Sequence, residues 1–289
     1  MALQINRLAP HFAAEVTGLD LRANDDAATL AQLRAAMDEY AVVVVRSQPF
    51  TNEEQLAFAQ RFDGTLHTKT SVAVLGKNRF GNEALTDVSN VGSDGSILSD
   101  SDRRRMSTVS NRLWHTDASF ENPRGRYSML SARVVPPVRA DTEFADMRAA
   151  YDALDDDTKQ TIDTLRVHHS IAYSRHVLGF DFSTDEAQRL QGADHPLVLT
   201  NPRTGRRSLY LASHAERVLD WPVPEGRLLL RDLTDHATRE SFVYRHVWRQ
   251  DDFVIWDNLA TMHRARPFDD RRYRREMLRT TTLDLPLPA

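Results

Sequence analysis

FVYRHVWRQDDFVIWDNLATMHRA, residues 242–265, is a run of aromatic and β-branched residues broken by short polar segments. Such runs predict strands at 242–248 and 251–258, and MLRTTTLDL at 277–285 predicts a third. These late strands need partners from earlier in the chain, so we expect one closed or sandwiched β core with helices packed outside. A double-sheet jelly roll is the natural candidate, because this fold brings distant segments of a chain together at one open end of the two sheets.

Earlier apolar runs supply the partner strands. EVTGLDL at 15–21, VVVV at 42–45 and YSMLSARVV at 127–135 each predict a strand. EALTDVSNV at 83–91 is the one strand-like stretch in a region rich in glycine, serine and aspartate. HPLVLTNPRTGRRSLYLA at 195–212 predicts a hairpin whose turn lies in Asn-Pro-Arg-Thr-Gly.

Helical patterns flank these strands. An amphipathic helix begins after Asp25 or Asp26 as N-cap, and a Thr-x-x-Glu capping box opens a second helix at 51–62. A helical stretch is expected through 147–166, and 224–239 predicts a helix with proline near its first turn.

Composition limits the classes of function. The chain has 289 residues, 41% of them hydrophobic, with no repeat and no dividing linker, so we expect a single domain over 1–289. A net charge of −4 gives no electrostatic case for nucleic acid or an anionic membrane, and no apolar run reaches the roughly 18 residues of a membrane span. Zero cysteines exclude disulfides, thiolate zinc and iron–sulfur clusters. The N-terminus lacks a signal-peptide pattern, so a soluble cytoplasmic protein is expected. The sequence leaves open whether it forms a homo-oligomer.

Three metal-ligand side chains stand out. His115 and Asp117, in LWHTD, form the only His-x-Asp triplet in the sequence, and His263, in TMHRA, follows the run at 251–258. On an extended segment, residues i and i+2 point to the same face, so His115 and Asp117 can coordinate one ion together. Two histidines and one carboxylate are the ligand set of the facial triad, which holds non-haem Fe(II) and leaves positions open for chemistry.

Two arginines follow the last of these histidines. Arg275 and Arg279, in RREMLR, alternate onto one face of a strand. Guanidinium groups form bidentate hydrogen bonds with carboxylates, which suits an organic-acid substrate. A zinc hydrolase could use the same ligands with a bound water but has no use for paired arginines. A non-catalytic jelly-roll binding module does not need three ligands. Metal analysis together with oxygen consumption separates the three classes.

Longer motifs carry a family resemblance. They are NRLWHTDASF (111–120), RYSMLSARVVPP (126–137), DTEFADMRAAYDAL (141–154), ESFVYRHVW (240–248), WDNLATMHRA (256–265) and RREMLRTTTLD (274–284). With these motifs the chain closely resembles the 2-oxoglutarate-dependent dioxygenases of the taurine dioxygenase superfamily, and within it the 2,4-dichlorophenoxyacetate dioxygenases. The resemblance spans nearly the whole chain. It implies a double-stranded β-helix, which is a jelly-roll variant, with Fe(II) as cofactor and 2-oxoglutarate and O2 as cosubstrates.

The resemblance also assigns roles to single positions. The positions that match the iron ligands are His115, Asp117 and His263. Thr142, in DTEF, and Arg275 match the residues that hold the distal carboxylate of 2-oxoglutarate. Arg279 matches the arginine that faces the acidic group of the primary substrate.

One spacing departs from the family pattern, and one further position is implied by it. The usual spacing after the last histidine lands on Arg274, which leaves Arg274 as an alternative to Arg275 for the cosubstrate. Lys69, in HTKTS, falls where a second cation for the substrate carboxylate is implied. The implied reaction hydroxylates the carbon next to the ether oxygen of an aryloxyacetate and gives a phenol and glyoxylate with succinate and CO2. In either case the substrate is a small acidic molecule. The alternative to an aryloxyacetate is a sulfonate, an alkyl sulfate or an arylacetate, oxidised by the same chemistry.

Overall fold

The computed structural model describes residues 3–23, 26–68 and 79–285. The strands in these ranges are β1 (Gln4–Arg7), β2 (Ala14–Thr17), β3 (Val42–Val45), β4 (Thr86–Asp87), β5 (Gly125–Val134), β6 (Thr142–Asp146), β7 (Arg166–His169), β8 (Ala193–Pro196), β9 (Val198–Thr200), β10 (Arg207–Leu209), β11 (Ala215–Val218), β12 (Val243–His246), β13 (Phe253–Asp257), β14 (Thr261–Ala265) and β15 (Glu276–Leu283). The α-helices are α1 (Ala27–Tyr40), α2 (Asn52–Asp63), α3 (Arg103–Thr108), α4 (Met147–Asp152), α5 (Asp156–Ile162), α6 (Ile171–His176), α7 (Thr184–Gln188) and α8 (Val223–Ala237).

Early and late strands alternate in the main sheet, whose order is β1-β2-β3-β13-β5-β15-β4. β13 lies between β3 and β5 and pairs antiparallel with both, so that Val254 is opposite Val44 on one side and Leu130 on the other. β15 continues the sheet along the far side of β5. The prediction that the late strands find their partners earlier in the chain is confirmed.

A second sheet, of order β12-β6-β14, packs against the first. Phe144 on β6 lies opposite Tyr244 on β12 and His263 on β14. Its ring also contacts Trp256 of the main sheet, with ring centroids 5.5 Å apart. The buried apolar cluster between the two sheets consists of Phe12, Ala13, Val42, Val44, Leu130, Ala132, Phe144, Trp248, Val254, Trp256 and Met277. This double-sheet core, with helices outside it, confirms the predicted mainly β, jelly-roll architecture.

Alternate side chains of β13 point to opposite faces of the main sheet and pack in two different apolar clusters. Val254 and Trp256 point into the cluster between the sheets, whereas Phe253 and Ile255 belong to the cluster on the opposite face of the main sheet. Helices α1 and α2 cover that face with buried leucine, methionine and phenylalanine side chains. A strand buried on both faces carries few polar residues, which explains the continuous apolar run FVIW.

The helix starts follow the predicted capping chemistry. Asp26 accepts a hydrogen bond from the backbone N–H of Thr29 and caps α1, while Asp25 lies outside the described residues. Thr51 and Glu54 form a reciprocal capping box at the start of α2. Both predicted helices are confirmed.

The helical stretch expected through 147–166 consists of two helices, α4 and α5, because Asp155 accepts a hydrogen bond from Thr158 N and caps α5 as a new start. The strand expected at 83–91 is much shorter than predicted. Within 83–91 only Thr86 and Asp87 form a strand, which pairs with β15. The residues after Asp87 make only isolated hydrogen bonds to the β15 segment, such as Val88 N to Met277 O at 3.0 Å, and do not continue the ladder.

The remaining elements pack outside the second sheet. β9 and β10 form the predicted hairpin, and β11-β7-β8 forms a small separate sheet. α4 and α8 join them in an apolar cluster that reaches Met262 on β14. No helix in the described part of the chain is long and apolar enough to cross a membrane.

Candidate active site

The three predicted metal ligands meet at the edge of the second sheet. His263 is the central residue of β14, and His115 forms an isolated antiparallel bridge with it. The two residues exchange backbone hydrogen bonds, His115 N to His263 O at 3.0 Å and His263 N to His115 O at 2.8 Å. Asp117 follows at the start of a turn that contains Ala118 at a φ of 53°. The extended backbone at His115 and the turn after it present both side chains to His263.

The geometry of this group fits one metal ion. All three residues are buried, and their candidate ligand atoms lie within 4.8 Å of one another. Nε2 of His115 is 3.8 Å from Oδ1 of Asp117, and Nε2 of His263 is 3.7 Å from Oδ2 of the same carboxylate. Two imidazoles and one carboxylate on one side of an ion are the donor set of non-haem Fe(II) sites, and they leave the other side open.

Hydrogen bonds orient two of the ligands. Nδ1 of His115 is 2.8 Å from the carbonyl oxygen of Leu113, which directs Nε2 toward the other ligands. Oδ2 of Asp117 accepts a hydrogen bond from Ser128 Oγ at 2.8 Å. Asn258 donates to the same Ser128 Oγ at 2.9 Å and accepts from the backbone N–H of Asp117 at 3.2 Å. The carboxylate is therefore fixed through both its side chain and its backbone.

Electrostatics keep the ligands in the forms that bind a cation. Burial has the largest single effect and raises the pKa of Asp117, but the Arg279 guanidinium, which donates to Oδ1, His263, His115 and the Ser128 hydroxyl together outweigh burial and hold the pKa at about 2. Burial lowers the pKa of His115 and, more strongly, that of His263, so both imidazoles are neutral and keep a nitrogen lone pair. An anionic carboxylate and two neutral imidazoles are the states that metal binding requires.

The cation and the hydroxyl expected to bind 2-oxoglutarate, Arg275 and Thr142, lie close to the triad. Arg275 and Thr142 line one small pocket together with His115 and His263. Arg275 is buried, its Nε has no hydrogen-bond partner, and no ion pair joins it to a described residue. Burial lowers its pKa to about 10, which still leaves a cation at neutral pH. Thr142 Oγ1 accepts from Trp248 Nε1 at 3.0 Å, so its own proton is available to a carboxylate.

The structure separates the two neighbouring arginines. Arg274 points away from the pocket, donates to Glu276 at 2.6 Å, and its side chain is 52% exposed. Its exposure and its ion pair fit a surface residue, whereas Arg275 faces the triad. The backbone N–H of Arg275 donates to Asn90 Oδ1 at 2.8 Å, which anchors this arginine at the pocket. Lys69, the implied second cation, lies outside the described residues.

Arg279 lies on β15 opposite Leu130 and forms an ion pair with Asp117, one of the three candidate metal ligands. It also lines a second, partly open pocket beside His115 and Asp117. The other residues lining this pocket include Thr86, Ser107, Thr108, Asn111, Phe120, Ile171, Arg175, His214 and Thr281. Sequence reasoning had missed Arg175 and His214. The only signal at Arg175 is a basic residue inside the largely apolar stretch SIAYSRHVLGF, 170–180.

Comparison with known proteins agrees with this site. The family model described as "Taurine catabolism dioxygenase TauD, TfdA family" matches residues 4–281. The chain is 44% identical to the alpha-ketoglutarate-dependent 2,4-dichlorophenoxyacetate dioxygenase of Cupriavidus pinatubonensis, over 98% of this chain and 99% of that one. It is 37% identical to the (S)-phenoxypropionate/alpha-ketoglutarate-dioxygenase of Sphingobium herbicidovorans, over 93% and 91% of the two chains. The crystal structure of AAD-2 in complex with Mn(II) and N-oxalylglycine has a TM-score of 0.93 and 45% identity, covering 98% of each chain.

The fold, the triad and these comparisons define a 2-oxoglutarate-dependent dioxygenase. The chain belongs to the TauD/TfdA family of taurine catabolism dioxygenases. The expectation of an oxidoreductase with a jelly-roll core is confirmed.

Proposed function

We propose that this enzyme hydroxylates the carbon next to the ether oxygen of an aryloxyacetate such as 2,4-dichlorophenoxyacetate. The observation that carries the proposal is the full-length similarity to two kinds of aryloxyalkanoate dioxygenase, 44% and 37% identical, in a chain that keeps a complete ligand triad. The reaction consumes 2-oxoglutarate and O2 and gives succinate and CO2. It takes place in the cytoplasm, where metabolism supplies 2-oxoglutarate.

His115, Asp117 and His263 would hold Fe(II), which would supply, with O2 and 2-oxoglutarate, the chemistry that oxidises a C–H bond. The protein holds and orients the two organic acids. Arg275 and Thr142 bind the distal carboxylate of 2-oxoglutarate by charge-assisted hydrogen bonds. One oxygen atom of O2 enters succinate and the other enters the new hydroxyl group of the primary substrate.

The primary substrate occupies the larger of the two pockets, which His115, Asp117 and Arg279 line together. Arg279 provides a cation for its acidic group, while Phe120 and Ile171 offer apolar contact for an aromatic ring. This placement determines which carbon is oxidised, and an error of about 1 Å in such a placement can cost on the order of a hundredfold in rate. Hydroxylation of the methylene group gives a hemiacetal, which breaks at the ether carbon–oxygen bond into a phenol and glyoxylate.

A substrate panel tests the proposal. Purified enzyme with Fe(II) and 2-oxoglutarate is given phenoxyacetate, 2,4-dichlorophenoxyacetate, phenylacetate, butanesulfonate or octyl sulfate, and succinate and phenol are quantified. We expect the aryloxyacetates to give the highest kcat/KM and equal amounts of phenol and succinate. A kcat/KM at least tenfold higher for the arylacetate, the sulfonate or the sulfate would replace the proposed substrate class by that alternative.

A further inference from the structure

Four arginines are almost fully buried in the described part of the chain, and they differ in their partners. Arg126 pairs with Asp257 at 3.0 Å, and Arg148 pairs with Asp146 at 2.9 Å. Arg175 and Arg275 are equally buried, at 6% and 7% exposure, but neither has a carboxylate partner among the described residues. A buried charge without a counter-ion is costly, so each unpaired guanidinium indicates a place for an anion.

The hydrogen-bonding capacity of Arg175 is largely unused by the described residues around it. It lies on α6, and its Nη1 donates to Ser174 Oγ at 3.0 Å, while its Nε is buried without a partner. Ser174 Oγ is also 2.9 Å from Nδ1 of His214. A planar guanidinium offers five N–H donors in a fork that matches a carboxylate. The protein occupies only a small part of that fork.

Arg175 also faces the metal site. The ring of His214, which shares Ser174 with Arg175, lies 6.2 Å from the ring of the metal ligand His115, centroid to centroid. On its other side His214 meets the edge of Phe120 at 5.1 Å. Arg175 and His214 line the same pocket as Asp117 and Arg279. An acid held by Arg175 therefore lies close to the reacting centre.

Arg279 is a second cation in the pocket that Arg175 lines. Burial lowers the pKa of Arg175 to about 10, and the nearby Arg279 cation acts in the same direction. Arg279 is matched by Asp117, but nothing among the described residues matches Arg175. Asp87, which also lines the pocket, is already paired with Arg79 at 2.8 Å. The substrate pocket thus contains one positive charge more than its described acids balance.

The two unpaired arginines lie in two pockets that share His115 and Arg279. Arg275 lines the pocket with Thr142, and Arg175 lines the pocket with Phe120. The reaction likewise uses two organic acids, the cosubstrate and the primary substrate. We propose that Arg175, together with Arg279, binds the carboxylate of the primary substrate and is a specificity-determining residue for acids over neutral compounds. This inference rests on the proposed function, and it names the residue that recognises the carboxylate of the substrate.

Binding without turnover tests this role directly. Phenoxyacetate and its neutral analogue phenoxyacetamide are titrated by calorimetry into enzyme saturated with Mn(II) and N-oxalylglycine, for wild type, Arg175→Gln and Arg175→Lys. We expect Arg175→Gln to weaken phenoxyacetate binding roughly 10- to 100-fold, as for loss of a charge-assisted hydrogen-bond pair. Binding of phenoxyacetamide is expected to stay within about twofold, and Arg175→Lys to recover part of the affinity for the acid. Arg103→Gln is the matched control, because Arg103 is exposed and pairs with Glu186 outside the pocket.

The outcomes are distinct. An unchanged affinity of Arg175→Gln for phenoxyacetate, with N-oxalylglycine binding intact, overturns the role of Arg175. Where Arg175→Gln does not fold, Arg175→Lys decides: equal loss of acid and amide binding overturns the role, and selective loss of acid binding supports it. If wild type binds neither aryloxy compound, the substrate class is wrong, and the titration is repeated with octyl sulfate and butanesulfonate. Arg175 keeps its role only if the anion that does bind loses at least tenfold in affinity in Arg175→Gln.

Discussion

Asp117 is held by hydrogen bonds with three residues, two of which lie more than a hundred residues away in the sequence. Ser128 on β5 donates to its side chain, Asn258 accepts from its backbone, and Arg279 on β15 donates to its other oxygen. Such support orients a ligand before the metal arrives and tunes its affinity. His263, the third candidate ligand, is fixed by its strand position rather than by a bond to its Nδ1, which has no partner among the residues that the structure describes.

Replacing His263 by alanine tests the triad. We expect loss of metal binding at micromolar metal concentrations, because two remaining ligands do not enforce a facial site. Isothermal titration with Mn(II) measures this, and His11→Ala, which changes an exposed histidine, serves as control. Unchanged Mn(II) affinity in His263→Ala would show that the ion is held elsewhere.

The adjacent arginines 274 and 275 form a matched pair for the cosubstrate. Arg275→Gln is expected to weaken 2-oxoglutarate binding by about 2–4 kcal/mol, since a charge-assisted contact in a buried site is lost. Arg274→Gln, which removes the same charge at an exposed position, is expected to leave the KM for 2-oxoglutarate unchanged. A larger effect in Arg274→Gln than in Arg275→Gln would reverse the assignment.

At the scale of elements, sequence patterns predicted what depends on local spacing. The run FVIW predicted β13, and the His-x-Asp triplet predicted two ligands, because alternation and spacing are visible in one short segment. Arg274 and Arg275 could not be separated in this way. Which of two adjacent side chains faces the pocket depends on where β15 begins and on its register shift between Glu276 and Met277. Arg175 was missed because only the packing of α6 against distant segments buries it.

The contact between α2 and β15 gives a prediction about pH. Asp63, the last residue of α2, accepts a hydrogen bond from Thr282 Oγ1 at 2.8 Å. Burial raises the pKa of Asp63 from 3.8 to about 6. The folded state therefore holds this proton more tightly than the unfolded state does, and the stability due to the protonated form is lost as the pH rises from about 4 through 6.

Asp63→Asn removes this titration. We expect the variant to gain stability over wild type as the pH rises, by about 1 kcal/mol more at pH 8 than at pH 5. Urea unfolding at the two pH values measures the difference, and Asp235→Asn on the exposed face of α8 controls for the loss of one charge. A gain that is the same at both pH values would contradict the raised pKa.

At the scale of the whole molecule, strand order ties the chain into one unit. The main sheet places β13 between β3 and β5, so segments separated by more than a hundred residues depend on one another. A single domain over 1–289 is the expectation that follows. We expect calorimetric unfolding to show one transition that moves as a whole to higher temperature when Mn(II) and N-oxalylglycine are added. Two transitions, only one of them shifted by these ligands, would indicate separate domains.

The most direct test of the proposed reaction follows both products in a single experiment. Enzyme with Fe(II), 2-oxoglutarate and 2,4-dichlorophenoxyacetate is incubated under ¹⁸O₂, and succinate and 2,4-dichlorophenol are analysed by mass spectrometry. Methylene hydroxylation predicts equal amounts of the two products, one ¹⁸O atom in succinate and none in the phenol, whose oxygen is the original ether oxygen. Succinate formed without phenol, or ¹⁸O in the phenolic hydroxyl group, would contradict oxidation at the carbon beside the ether oxygen.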